Sequence, residues 1–335
     1  TSDILDYSLT YTGITSLGFP FLILATGGSS LIRADGSPRF SMFCTLAGAV
    51  INTILDPLFI FGFDMGMAGA AWATVIGQVV SGFMVIGYLT RFKTVKLTWK
   101  SLGLRPGYCL QVVALGMSPF CNQLAMMVVQ IVLNNSLTYY GGLSDYGSEI
   151  PLACAGIISK VGMIYFAVVI GIAQGLQPIV SFNYGAKKYD RVKETVKKAS
   201  MASLIISLAA FVVFQLFPRQ IISIFGSGSE EYFLFAERYF HIYMFFTFLN
   251  WLQCIASNFF TSIGKAIRGV FLSLTRQIIF LLPLILLLPL VMGIDGIMYA
   301  APAADLIAAI LAAVFLKKEF GLMDRESGKE VFAGK

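Results

Sequence analysis

Nine stretches of about twenty or more mostly apolar residues follow one another along the chain. They run over 8–32, 41–62, 67–90, 109–140, 150–182, 199–217, 232–261, 271–291 and 296–316. Each is long enough to cross a bilayer core of ~30 Å as a helix. A barrel would show short alternating segments, and an open strand cannot satisfy its backbone in lipid, so helices are the only spanning form left. Length alone, 335 residues, suggests two soluble domains, but 57% of the chain is hydrophobic and 13% charged. That leaves too few polar groups to wet the surface of a globule. The five cysteines, Cys44, Cys109, Cys121, Cys154 and Cys254, lie in apolar stretches without paired spacing. They read as small hydrophobes, not as a disulfide or zinc framework. The fold class is therefore an all-α polytopic membrane protein, with nine spans present and no soluble domain.

Charge sits in the connections, and in alternate ones. Loops 33–40, 91–108, 183–198 and 262–270 and the tail 317–335 carry two, five, six, two and five of the 24 Lys and Arg residues. The opposite set, 63–66, 141–149, 218–231 and 292–295, holds only Arg219. Short basic loops stay in the cytoplasm, so the C-terminus is expected inside and the protein is expected to be multi-pass in the plasma membrane. The basic balance is topological and gives no hint of nucleic acid.

An internal repeat adds a second constraint. Gly66-Met67-Ala68-Gly69, Ala73 and Gln78 recur as Gly293-Ile294-Asp295-Gly296, Ala300 and Asp305, and Tyr11 and Gly36 recur as Tyr239 and Gly264. The offset is about 227 residues, or six spans, so the halves share one orientation and are related by an axis along the membrane normal. The fourth, fifth and sixth spans have no counterpart. The repeat predicts about 118 further residues and three further helices ahead of Thr1, for twelve helices in two bundles of six. On this scheme 1–92 is the second half of the N-terminal bundle. Residues 93–108 are a cytoplasmic linker, 109–318 the C-terminal six-helix bundle, and 319–335 a cytoplasmic tail.

An ordered set of motifs runs through this frame. Arg33-Ala34-Asp35-Gly36-Ser37-Pro38 is followed by Asn52, Leu55-Asp56-Pro57-Leu58-Phe59-Ile60-Phe61 and Gly66-Met67-Ala68-Gly69-Ala70-Ala71. Then come Gly171, Gln174-Gly175-Leu176-Gln177-Pro178, Asn183-Tyr184-Gly185-Ala186-Lys187 and Arg191. In this order the set resembles the multidrug and toxic compound extrusion (MATE) family over essentially the whole chain, from that family's fourth helix to its twelfth. The resemblance implies a V-shaped pair of six-helix bundles, alternating access, and Na⁺ or H⁺ antiport of bulky, often cationic amphiphiles. Some branches carry coupling acids on the seventh and tenth helices, where this chain has Asn122, Gln123, Asn250 and Gln253. Another branch uses an aspartate on the first helix.

Read physically, the candidate site residues fall into three groups. Arg33, Asp35 and Arg39 form a tight turn broken by Gly36 and Pro38. Their charges are either gating contacts between bundles or an ordinary positive-inside turn. Among the amides, Gln123, Gln130 and Asn134 recur on one helical face beside Asn122. Asn250 and Gln253 do likewise among Phe245, Phe246, Phe248 and Trp251, and Gln174 and Gln177 flank Gly175. Neutral amides among aromatics suit an amphiphilic cation, and equally suit hydrogen bonding between helices. The third group is the charges within spans: Lys160, Asp305 and Asp56, with Glu237, Arg238 and Arg276. Lys160 and Asp305 have comparable depth, and either they pair or each meets water in a central cavity. Asp56-Pro57 favours a kink over cation coordination, and Arg276 is expected to snorkel.

These readings point to a secondary transporter and not an enzyme: one histidine, no HExxH, no GxSxG and no paired intramembrane carboxylates leave no catalytic or metal residues to name. No cofactor is expected beyond a coupling Na⁺ or H⁺. The partners are a small-molecule substrate and the lipid bilayer, and a monomer is expected. The alternative is a flippase or exporter of a lipid-linked or polysaccharide intermediate, which calls for a more basic cavity than one deep lysine provides.

Overall fold

The structure is a computed structural model that describes residues 2–94, 103, 105–225 and 229–333. Residues 95–102 and 104 of the expected linker, and 334–335 of the expected tail, lie outside the described residues. The described chain is all helical, without strands, and divides into two compact units, residues 1–105 and 106–335.

The first unit holds α1 (Ser2–Ser16), α2 (Phe19–Ala34), α3 (Pro38–Pro57) and α4 (Gly66–Leu89). The stretch expected as one span over 8–32 is broken. α1 and α2 meet at 56°, because Pro20 supplies no donor and its ring excludes a helical carbonyl at Ser16. Pro57 has a similar effect at the end of α3, where the chain widens into a π-helical turn over Leu58–Gly62. α3 and α4 touch backbone to backbone at Gly48 and Gly77: a Cβ on Gly77 would lie 2.7 Å from the Gly48 carbonyl oxygen. Ser81 Oγ donates to the Cys44 carbonyl at 3.0 Å, and Ser41 Oγ to the Ser29 carbonyl at 2.9 Å. Small residues thus let the helices approach, and hydroxyls join them where lipid gives no hydrophobic drive.

The second unit holds α5 (Pro106–Gly142), α6 (Glu149–Gly185), α7 (Tyr189–Leu216), α8 (Pro218–Phe225), α9 (Glu230–Tyr243), α10 (Thr247–Ser262), α11 (Ala266–Leu274), α12 (Leu282–Met292) and α13 (Ile294–Ala333). A π-helical segment over Thr275–Leu281 joins α11 to α12. The stretch 232–261 is also split, into α9 and α10, and Ser229 caps α9 by accepting from the Tyr232 amide at 3.2 Å. The core is aromatic. Tyr165, Phe214, Phe235, Tyr239 and Phe240 form one end, and Phe259, Phe260 and Leu316 the other. Among the described residues six helices, counting α11–α12 as one, are long and apolar enough to cross a membrane, or seven if α1–α2 is one span.

Three helices end in the same way. Gly36, Lys187 and Gly264 take positive φ, at 78°, 57° and 77°. The following amides of Ser37, Lys188 and Lys265 bond back to the carbonyls of Ile32, Asn183 and Phe260 at 3.1, 2.9 and 2.9 Å. This is the Schellman closure, which satisfies carbonyls the helix leaves open. Two of these turns are further tied by charge. In the first unit, Asp35 accepts from Tyr88 Oη (2.8 Å) and from the amides of Lys93 (2.9 Å) and Thr94 (3.0 Å), besides the Thr94 hydroxyl. In the second, buried Glu319 of α13 receives Lys265, and Arg268 Nη1 at 2.6 Å.

The bonds from the Thr94 hydroxyl and the Lys93 amide hold the Asp35 carboxyl well below the usual carboxylate range. Its contribution to stability is therefore fully present above the unfolded value of ~3.9 and is lost as pH falls through the lower folded value. Asp35→Asn should lower the thermal midpoint of the purified protein at pH 7. The gap to wild type should narrow in strong acid, and an equal gap at every pH would reject this account.

Candidate functional site

Asp56 occupies the last turn of α3, just before the Pro57 break. One turn earlier Asn52 Nδ2 donates to Asp56 Oδ1 at 3.3 Å and also reaches Thr74 Oγ1 of α4 at 3.4 Å. Tyr11 Oη of α1 meets the same Thr74 oxygen at 3.4 Å. Three helices thus bring a carboxylate, an amide and two hydroxyls into one half-buried polar chain, joined in the middle by the Asn52 N–H groups. This is a donor set suited to a proton or a hard monovalent cation. Asp56 was expected to serve a kink, and the kink is present, but its carboxylate also heads this polar chain. Tyr11 and Thr74 had not been singled out. Tyr11 drew notice only as a repeat match, and Thr74 is one uncharged residue in a small-residue helix.

The second unit buries one ion pair deep among its helices. Arg276 Nε donates to Asp305 Oδ1 at 2.5 Å, with both side chains largely covered. Tyr243 and the Asn250 amide lie beside the pair. Two expectations are corrected here. Asp305 does not pair with Lys160, which is exposed on α6. Nor does Arg276 snorkel: it lies in the π-helical segment, and its guanidinium is taken by Asp305. Sequence depth places a residue along the membrane normal but not around its helix, and Lys160 points away from the core that holds Asp305.

The amides divide. Asn122 Oδ1 accepts from Ser273 Oγ at 2.6 Å, Gln177 Nε2 donates to Asn258 Oδ1 at 2.7 Å, and Gln253 Nε2 donates to the Leu272 carbonyl at 2.9 Å. These three join helices. Gln123, Gln130, Asn134 and Gln174 are exposed from the second unit, and Gln130 Nε2 donates to Asn134 Oδ1 at 2.9 Å. Phe211, Phe245 and Phe248 form an aromatic group near the start of α10, with edge-on ring separations of 6.0 and 5.2 Å.

Of the turn residues, Arg33 donates to Ser30 Oγ (2.9 Å) and Ser41 Oγ (3.4 Å), and Arg39 is exposed. The bonds of Asp35 described above all lie within its own unit. Glu237 and Arg238 are also tied locally, to Arg219 at 3.6 Å and to Asp295 at 2.6 Å.

Residues 122–287 match the MatE family model. The chain is 25% identical over 314 residues to the "Multidrug export protein MepA" of Staphylococcus haemolyticus, covering 93% of this chain and 67% of that protein. It is 24% identical over 303 residues to the protein of the same name from Staphylococcus aureus strain RF122, covering 90% and 65%. The chain thus spans about two thirds of the length of these relatives. Among solved structures, its fold is similar to the outward-facing conformation of a multidrug resistance MATE family transporter, with a TM-score of 0.86 at 19% identity over 95% of this chain and 70% of that one. It is equally similar, at 0.86 and 18%, to a MATE crystallised with MaD3S, over 97% and 72%.

Proposed function

The chain belongs to the MATE family, and on that premise we propose that it exports amphiphilic, often cationic small molecules by alternating access, driven by inward movement of Na⁺ or H⁺. The multidrug export named for its relatives supports the exported class. The observation that carries the coupling reading is the polar chain from the Asp56 carboxylate through the Asn52 amide and the Thr74 hydroxyl to Tyr11. A carboxylate within a span is costly unless it is partnered or used, and this one keeps only a single 3.3 Å donor. Loading of a proton or a cation at Asp56 discharges it and relaxes its hold on Asn52, which reaches Thr74 of α4. The transported ion is thereby linked to the packing of the first unit.

The same reading takes α5 and the α9–α10 pair as spans beside those of sufficient length, giving nine of twelve helices related by the parallel repeat. Its domains are 1–92, the linker 93–108, the bundle 109–318 and the tail 319–335. Gln123, Gln130, Asn134, Gln174 and Asn250 are its substrate-facing amides. The protein works in the plasma membrane as a monomer, with its C-terminus in the cytoplasm and without catalytic chemistry.

Asp56→Asn tests the coupling. The variant should insert normally and bind a fluorescent organic cation, while driven efflux from cells falls by about tenfold or more. Wild-type efflux from Asp56→Asn cells would remove Asp56 from the mechanism.

A further inference from the structure

The end of α13 is fastened to the start of α7. Lys193 of α7 bonds Asp324 of α13, and beside that bridge Val192 and Val196 share one core with Leu316 and Met323. The bridge fixes which sides of the two helices meet, and at what level. From it toward the apolar stretches 199–217 and 296–316, each helix next presents a lysine on that side. Lys197 lies about 6 Å along α7 from Lys193 and is turned about 40° from it. Lys317 lies about 10 Å along α13 from Asp324 and is turned about 20°. Both are exposed, and neither makes a hydrogen bond or ion pair among the described residues. The acids nearest to them in sequence are engaged, Glu194 with Lys198 and Glu319 with Lys265 and Arg268.

The same two lines continue into the membrane as hydrocarbon. On α7, Leu204 and Leu208 follow Lys197 at i+7 and i+11, and on α13 Ile310 and Leu306 precede Lys317 at i−7 and i−11. Such spacings keep residues within about 20° of one helical line. Leu208, Leu306 and Ile310 are exposed and Leu204 is half-buried. Each lysine therefore heads an uncovered apolar line, and the two lines border the seam that the Lys193–Asp324 bridge closes at its end. Two unneutralised cations at the head of a hydrocarbon seam match a molecule with an anionic phosphate and apolar chains.

We propose that the seam between α7 and α13 holds one anionic glycerophospholipid of the cytoplasmic leaflet. Its phosphate sits between Lys197 and Lys317, and its acyl chains run along Leu204, Leu208, Ile310 and Leu306. The proposal goes beyond the export reading and does not depend on it. A zwitterionic phospholipid offers the same chains, but its own cationic group competes for the phosphate, so the seam selects by charge. Held there, the lipid clamps the foot of α7 to α13 alongside the Lys193–Asp324 bridge and stabilises the second unit.

The purified full chain in detergent, mixed with equal amounts of phosphatidylglycerol and phosphatidylcholine of the same acyl chains, supplies the test. Retained lipid is counted by native mass spectrometry. Wild type should retain one phosphatidylglycerol at least about fivefold over phosphatidylcholine. Lys197→Gln with Lys317→Gln should lower that retention about tenfold and change phosphatidylcholine by less than about twofold, whereas arginine at both positions should keep most of it. Lys188→Gln with Lys318→Gln removes equal charge from exposed lysines outside the two lines, and should change phosphatidylglycerol retention by less than about twofold. Phosphatidylglycerol should also raise the thermal midpoint of wild type and of the arginine variant, but not that of the Lys197→Gln, Lys317→Gln variant. Equal losses in the two glutamine variants would reduce the effect to net charge and overturn the proposal. So would an absence of preference in wild type, or loss of the lipid from the arginine variant. Displacement of the lipid by inorganic phosphate would overturn it too, since the site would then take a free anion without using the seam.

Discussion

Asp305→Asn should sharply reduce the yield of folded protein and lower its thermal midpoint by on the order of 10 °C. The substitution leaves the Arg276 guanidinium covered by α13 and without its 2.5 Å partner. Removing one member of a buried pair costs about 3–5 kcal/mol, because the stranded charge keeps its desolvation penalty. Replacing both, as Arg276→Met with Asp305→Leu, removes the charge along with the attraction and should recover much of the loss. Lys160→Met should not rescue Asp305→Asn, since Lys160 is not the partner. A double-mutant cycle on expression and thermal midpoint measures the coupling. A value near zero for Arg276 and Asp305, or an Asp305→Asn protein as stable as wild type, would show that the pair contributes nothing to the fold.

Gly77→Val should abolish both folding and efflux. The new Cβ would be 2.7 Å from the Gly48 carbonyl oxygen and 3.2 Å from Asn52 Cβ, and neither backbone nor Cβ can swing aside as a long side chain does. Overpacking a tight core usually costs about 1–3 kcal/mol, and a collision of helix backbones belongs at or above the upper end. Because Asn52 links Asp56 to Thr74, the displacement also pulls apart the polar chain. Gly87→Ala is the control on the same helix, since a Cβ there meets nothing within 4 Å. It should be neutral, or stabilising by up to ~1 kcal/mol through helix propensity. A Gly77→Val protein that is folded and active would mean that α3 and α4 separate without consequence.

Much of the helical layout is legible in the sequence, because apolar length and turn chemistry are local properties. Gly36 and Gly264 mark helix ends, and both do end helices. The breaks within 8–32 and 232–261 are less legible. Pro20 signals the first, whereas the second falls at Met244–Phe246 without a proline or glycine, where aromatic packing sets the direction of the chain. The site residues show the same limit. Asn122 and Gln123 are neighbours in sequence, yet they point about 100° apart; one bonds Ser273 and the other is uncovered. Asp305 and Lys160 share a depth but face opposite ways. The partnership of Arg276 with Asp305 needs the π-helical segment, which turns the arginine inward and has no marker in the amino-acid sequence.

The two charged turns close on one geometry, yet each is fastened with the opposite sign. At Gly36 the turn supplies the acid, Asp35, and Tyr88 of α4 with Lys93 and Thr94 just beyond it supply the donors. At Gly264 the turn supplies Lys265 and Arg268, and α13 supplies the acid, Glu319. A chimera carrying either turn in the other's place would set Asp35 against Glu319, or cations against the amides of Lys93 and Thr94. Each turn is thus complementary in charge to the helix that it meets. The sign of one residue serves as a key that keeps two near-identical corners from exchanging their helices.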